Sequence, residues 1–163
     1  MAATINTYLS FKDTAREAMT FYQSVFGGDL TSTTFAEYRM SEDPADHDKI
    51  MHSMLTTPSG QVLMAADTPN SMEYTAPAGH SLSISGDDER ELRGYWDALV
   101  SGGHEVLPLE PSPWGDSFGM CVDRFGISWM VNIAGTTSDG APAPAEGSAQ
   151  DTAQGTARES ARQ

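Results

Sequence analysis

The chain has 163 residues, room for one domain and marginal for two, and carries a formal net charge of −14. With no Lys/Arg cluster to reverse that charge locally, nucleic acid and anionic membrane are excluded as expected partners. A single cysteine, Cys121, excludes an internal disulfide and a Cys-rich metal site.

No apolar run approaches the ~18 residues of a membrane span. The opening MAATINTYLS lacks the basic-then-apolar pattern of a signal peptide, so the cytoplasm is the expected location.

In chain order, INTYLSFK (5–12) alternates as a strand. DTAREAMTFYQSVFGGDL then opens at Asp13, with Thr14 and Glu17 spaced as a capping box. Ala15, Ala18, Met19, Tyr22, Val25 and Phe26 recur at helical spacing before Gly27-Gly28, which predicts a helix over 14–26 with a left-handed cap. Three extended stretches follow at 29–39, 49–57 and 61–67, the last two divided by Pro58-Ser59-Gly60.

The pattern then repeats. HSLSIS (80–85) reads as a strand. DERELRGYWDALVSGGHEV predicts a helix over 88–101, with Asp88 and Glu91 as a looser capping pair and Leu92, Tyr95, Trp96, Leu99 and Val100 on one face. It ends on Gly102-Gly103, and extended stretches follow at 105–110, 117–122 and 127–133, with a turn from Asp123 to Gly126. Phe21-Tyr22 and Tyr95-Trp96 stand 74 residues apart, and each aromatic pair is expected to be buried.

Each half is thus a strand, a helix and three strands. A helix covers one face of a small sheet, so the other face must be buried by a partner half or remain as a cup. The expected fold is α+β: tandem βαβββ units, about 4–68 and 79–134, forming an open cup-like β-sheet barrel covered by two main helices. Residues 135–163 contain no Val, Ile, Leu, Met or aromatic residue and cannot offset their ordering entropy, so they are expected to be a disordered tail. The tail's four acids and two arginines sum to −2, which leaves −12 on residues 1–134.

The segments TYLSFKDTAREAMTFYQSVFGG, LMAADTP, SLSISGDD, YWDALVSGG and WGDSFGMCVDRFGISWMVNI, in this order and spacing, resemble the PhnB-like branch of the vicinal-oxygen-chelate superfamily. That superfamily includes glyoxalase, the extradiol dioxygenases and the fosfomycin- and bleomycin-resistance proteins. The resemblance spans about residues 4–134 and implies a small-molecule cup and a homodimer, since such units often pair across chains.

Metal-using members place His, Glu or Gln at cup-facing positions of the first and last strand of each unit. The matching positions here are Asn6 or Tyr8, Met64, Ser81 and Met130, none a strong ligand, so no metal is expected. PhnB-like relatives often carry a methyltransferase label. That chemistry would want a Gly-rich loop after a first strand, whereas both glycine pairs here follow helices, so no cofactor is expected.

Strand parity separates two faces. Trp129, Val131 and Ile133 should meet the helix layer, and Ser128, Met130 and Asn132 the cup. By the same reading, Leu9 and Phe11 lie under the first helix, with Asn6, Tyr8 and Ser10 in the cup. Leu82 and Ile84 lie under the second, with Ser81, Ser83 and Ser85 inward. Aligning Gly60 with Gly126 sets Met64 against Met130.

Among the histidines, His47 and His104 read as surface residues. His80 points toward the helix layer or solvent unless a bulge turns it into a ligand. His52 sits mid-strand, either as a hydrogen-bonded core residue or as a general base. Trp114, after Pro111-Ser112-Pro113, either stacks on a ligand at the pocket mouth or staples its loop. Asp67 and Asp116 are rim carboxylates or plain surface acids, and Cys121 reads as a buried inert thiol.

The candidate pocket is therefore Tyr8, His52, Met64, Ser83, Trp114, Met130 and Asn132, binding or sequestering a small molecule. The alternatives are a metal-dependent isomerase, lyase or dioxygenase, and a non-catalytic dimer module.

Overall fold

The computed structural model describes residues 3–135. The elements are β1 (Thr7–Phe11), α1 (Ala15–Phe26), β2 (Asp29–Thr34), α2 (Phe35–Tyr38), β3 (Ile50–Thr56), β4 (Val62–Asp67), β5 (Leu82–Gly86), α3 (Glu89–Val100), β6 (His104–Pro111), β7 (Ser117–Val122) and β8 (Ser128–Ile133). One 3₁₀ turn lies at Pro44–Asp46. The strands form two four-stranded sheets, ordered β1-β4-β3-β2 and β5-β8-β7-β6. In each, the first strand runs parallel to the last and the remaining pairs are antiparallel. The α+β tandem βαβββ architecture is as expected, and the strands form two separate sheets and no closed barrel: no strand pair joins the two sheets among the described residues. The expected disorder beyond residue 135 lies outside the described residues.

Alternation decides which side of each sheet is covered. Leu9, Phe11, Leu55, Leu63 and Ala65 of the first sheet are buried, as are Cys121, Trp129, Val131 and Ile133 of the second. Helix α1 buries Ala15, Ala18, Met19 and Tyr22, and α3 buries Leu92, Trp96 and Leu99. All of these belong to one continuous core.

The units meet through their helix-covered sides. The Tyr22 ring lies 5.6 Å from Trp129, Phe26 lies 5.5 Å from Trp129 and 5.1 Å from Tyr95, and Phe11 and Phe21 pack on Phe125. Only one member of each aromatic pair is fully buried, Tyr22 and Trp96. Phe21 and Tyr95 are half-buried because they flank this seam: Phe21 lies under the Arg124 guanidinium, and the Tyr95 hydroxyl reaches back to Glu91. With the helices between the sheets, each sheet turns its other face outward.

Three local features differ from expectation. Thr14 makes no side-chain cap on α1. Instead the buried Asp67 carboxylate accepts from the Ala15 and Ile50 backbone N–H groups, both at 2.9 Å. Asp67 is thus a structural bolt from the end of β4 to the start of α1, not a rim acid. The stretch 29–39 is also not extended throughout. Thr34 and Glu37 form a complete capping box, which turns Phe35–Tyr38 into a helical turn. Finally, the second glycine of each pair is required by close approach. A Cβ at Gly28 would lie 2.1 Å from the Thr56 carbonyl oxygen, and one at Gly103 would lie 2.1 Å from that of Val122. At the second helix, Asp88 accepts from the Glu91 N–H at 3.0 Å, as expected of a cap.

Candidate functional site

The outward faces are built by matching strand registers. On the first sheet, Tyr8 pairs with Met64 and Met64 with Met54, next to Thr31 on β2. On the second, Ser83 pairs with Met130 and Met130 with Met120, next to Leu107 on β6. Each open face therefore carries a cross-strand row centred on two methionines. Both rows follow from the turns, because Met54 and Met64 are equidistant from the Thr57–Gln61 turn and Met120 and Met130 from the Asp123–Ile127 turn. Met54 and Met120 were absent from the sequence-based candidate set; counting outward from each turn would have found them.

His52 lies on the same face as Tyr8. Their rings stack at 5.8 Å, and the Tyr8 hydroxyl is 3.3 Å from His52 Nδ1. A bulge between Thr33 and Thr34 turns Ile50 inward while leaving His52 on the open side. Partial burial pushes the Tyr8 phenol up from its ordinary range, so it stays protonated. Either group can donate in this bond; where Nδ1–H donates to the phenol oxygen, Nε2 is left as the acceptor nitrogen.

At one end of the second face, Trp114 projects from the β6–β7 turn with 64 % of its surface exposed, its ring 6.0 Å from that of Phe118. Phe118 pairs in register with Asn132. The Asn132 amide donates to the Asp116 carboxylate at 2.9 Å, and the Gly135 backbone N–H donates to its other oxygen at 3.0 Å. The Asn132 hydrogen bond, and then that from Gly135, hold the Asp116 carboxyl below its ordinary value, so it is an anion at neutral pH.

The candidate residues thus fall into two groups: Tyr8, His52 and Met64 on the first sheet, and Ser83, Met130, Asn132 and Trp114 on or beside the second. Among the described residues no hydrogen bond or ring contact joins the groups.

Two surface concavities lie elsewhere. One of about 590 Å³ runs between α1 and α3, lined by Ser24, Asp88, Glu91 and Tyr95 among others. The other, about 390 Å³, lies by Asp13, Arg16, Lys49 and Asn70. In the latter, Lys49 bridges Asp13 at 2.8 Å and the fully buried Asp46 at 2.9 Å. His47, His80 and His104 are exposed, and the Cys121 thiol, buried, is pushed up to about 11.

Among the described residues no group of three or more His, Cys, Asp or Glu is placed to hold a metal, and no helix is long and apolar enough to cross a membrane. The ligand-like positions of the fold, Asn6 or Tyr8, Met64, Ser81 and Met130, offer no imidazole or carboxylate for a divalent ion.

Comparison with known proteins agrees with this geometry. A protein family described as 3-demethylubiquinone-9 3-methyltransferase matches residues 3–132. Protein YjdN of Escherichia coli (strain K12) is 23 % identical over 140 residues, which cover 79 % of this chain and 94 % of that protein. The crystal structure of protein PA1353 from Pseudomonas aeruginosa superposes with a TM-score of 0.73 at 39 % identity, covering 82 % of this chain and 99 % of that one. A Bacillus cereus structure described as a putative 3-demethylubiquinone-9 3-methyltransferase, PhnB protein, gives a TM-score of 0.64 at 27 % identity, over 81 % of this chain and all (100 %) of that one.

Proposed function

The chain belongs to the family described as 3-demethylubiquinone-9 3-methyltransferase, the PhnB-like branch of the vicinal-oxygen-chelate superfamily, and on that premise we propose that it binds or sequesters a small organic molecule on its open sheet faces. The observation that carries this reading is the pair of methionine-centred rows, Tyr8–Met64–Met54 and Ser83–Met130–Met120. Their methionines are half-buried although no element among the described residues covers that side of the sheets. Thioether side chains adapt to irregular apolar ligands and make favourable sulfur–aromatic contacts. Tyr8, His52, Ser83 and Asn132 supply the few polar anchors of such a site.

In this reading the cup is completed in a homodimer, where the first face of one protomer meets the second face of its partner. That arrangement unites the seven candidate residues, which one chain holds apart.

Methyl transfer is named in the family's description. The segment after β1, Lys12-Asp13-Thr14, has no glycine to admit a nucleotide-like cofactor, so these residues do not fit that group. A second reading, acid–base chemistry at His52, is favoured by one observation: the Tyr8 hydroxyl engages Nδ1, and in the tautomer that donates from Nδ1–H the Nε2 lone pair is left to act as a base.

The test is a thermal-shift screen with small aromatic compounds, run beside light scattering. Binding to the folded state alone must raise the midpoint. Stabilisation by at least one aromatic class in a dimeric protein is the expected result. A monomer at micromolar concentration that no compound stabilises would sink the reading.

A further inference from the structure

We propose that the ligand of this site is a planar aromatic cation, an amine-bearing ring system, rather than a phosphonate or carboxylate. The inference rests on the binding reading above and names its ligand class.

Two independent observations carry it. First, none of the eight strands contains a Lys or Arg. The cations of the described residues all stand on helices, turns or loops, and those with partners are committed there: Lys49 to Asp13 and Asp46, Arg93 to Glu89, Arg124 to the Ser101 carbonyl. Among the described residues, no strand side chain would give an anionic ligand on either open face a positive partner, on a chain of net charge −14.

Second, one end of the second face is built for the opposite charge. Trp114 and Phe118 present adjoining rings, and the Asp116 carboxylate is tied to Asn132, the register partner of Phe118. Each Asp116 oxygen takes one hydrogen bond and keeps acceptor capacity for a ligand N–H. An exposed indole face attracts a cation through its quadrupole, and the Asp116 carboxylate, two residues along the same turn, adds a counter-charge. The methionine row continues the same face with a polarizable surface for the flat remainder of the molecule.

The experiment is calorimetric titration of the full chain with three matched probes: 1-naphthylmethylamine, 1-naphthalenemethanol and (naphthalen-1-ylmethyl)phosphonate. The protonated amine should bind about tenfold more tightly than the alcohol, and the phosphonate more weakly than either. Asp116→Asn should abolish the amine's advantage over the alcohol. In the unsubstituted protein, the advantage should shrink as ionic strength rises to about 1 M, where the screening length falls to about 3 Å.

A phosphonate that binds as well as the amine would overturn the proposal. So would an amine preference that survives both Asp116→Asn and high salt. Binding of the alcohol with no amine preference would remove the charge assignment and leave the binding reading standing. Failure of all three probes would remove both.

Discussion

The Tyr22 hydroxyl, on α1 of the first unit, donates a 2.7 Å hydrogen bond to the Asp123 carboxylate, 101 residues away in the β7–β8 turn of the second. The same carboxylate accepts from Trp129 Nε1 at 2.8 Å and from the backbone N–H groups of Phe125 and Ile127 at 2.8 and 3.1 Å. A buried charge is tolerated here because four donors replace its water. Burial and then the Asp123 charge push the Tyr22 phenol far up, so it remains a donor throughout the accessible pH range.

This junction fixes how the units sit and hence where the open faces point. Tyr22→Phe is expected to cost about 1.5–3 kcal/mol, the value of a hydrogen bond to a charged group. Asp123→Ala orphans four donors and should cost more, on the order of 4 kcal/mol. Urea denaturation followed by tryptophan fluorescence checks both. An unchanged midpoint in Tyr22→Phe would show that the aromatic packing alone holds the junction.

The bridge of Lys49 to Asp13 and Asp46 makes a prediction in pH. The Lys49 hydrogen bond leads the causes that lower the Asp46 carboxyl, and its bonds to Asp13 and Asp46 raise the Lys49 ammonium. A lowered carboxyl contributes stability above its unfolded pKa, about 3.9, and loses it as pH falls through the folded value. A raised ammonium contributes below about pH 10.4 and loses its share as pH rises through the folded value. The bridge should therefore stabilise across the neutral range and fade at both ends. Lys49→Met should lower the thermal midpoint near neutrality and converge on the parent toward pH 3. Parallel curves for the two proteins across that acid range would contradict this.

Glycine substitutions should move in opposite directions. At Gly103 the Cβ must displace the Val122 carbonyl, so Gly103→Ala should cost several kcal/mol, on the order of 3, and reduce soluble yield. At Gly94, inside α3, nothing stands within 4 Å of the Cβ position, and Gly94→Ala should stabilise by about 1 kcal/mol. Thermal unfolding of the two variants side by side reads both signs.

How much of this was legible in the sequence varies by element. Alternation in SWMVNI placed Met130 and Asn132 on the open face because the two sides of that strand differ in character, and aligning Gly60 with Gly126 carried Met64 to the matching position. IMHSMLT is apolar on both sides, so His52 had no direction until the register with β4 and the Tyr8 contact fixed it. Asp67 read as a rim or surface acid, and Asp123 as part of a turn, because their donors, Ala15 and Tyr22, arrive from distant sequence. The Thr34–Glu37 box was present as a local signal, and it was masked by the β-branched run before it.

Trp114 separates binding from folding. Because it is 64 % exposed, Trp114→Ala should leave the thermal midpoint nearly unchanged. Loss of its stacking and burial on a flat ligand should cost about 1–3 kcal/mol, or roughly tenfold or more in affinity. Calorimetry with the naphthyl probes measures it, and unchanged affinity would reduce Trp114 to a staple for its own loop.

The most direct measurement is methyl NMR on protein labelled at its nine methionines, titrated with 1-naphthylmethylamine. Met54, Met64, Met120 and Met130 occupy the two rows, while Met40 and Met72 are exposed elsewhere and Met19, on the buried side of α1, is fully covered. The four row methyls should shift together and saturate with one affinity, with Met19, Met40 and Met72 unmoved. Shifts confined to Met40 or Met72, or none at the rows when calorimetry shows binding, would place the ligand elsewhere and contradict a site on the open faces.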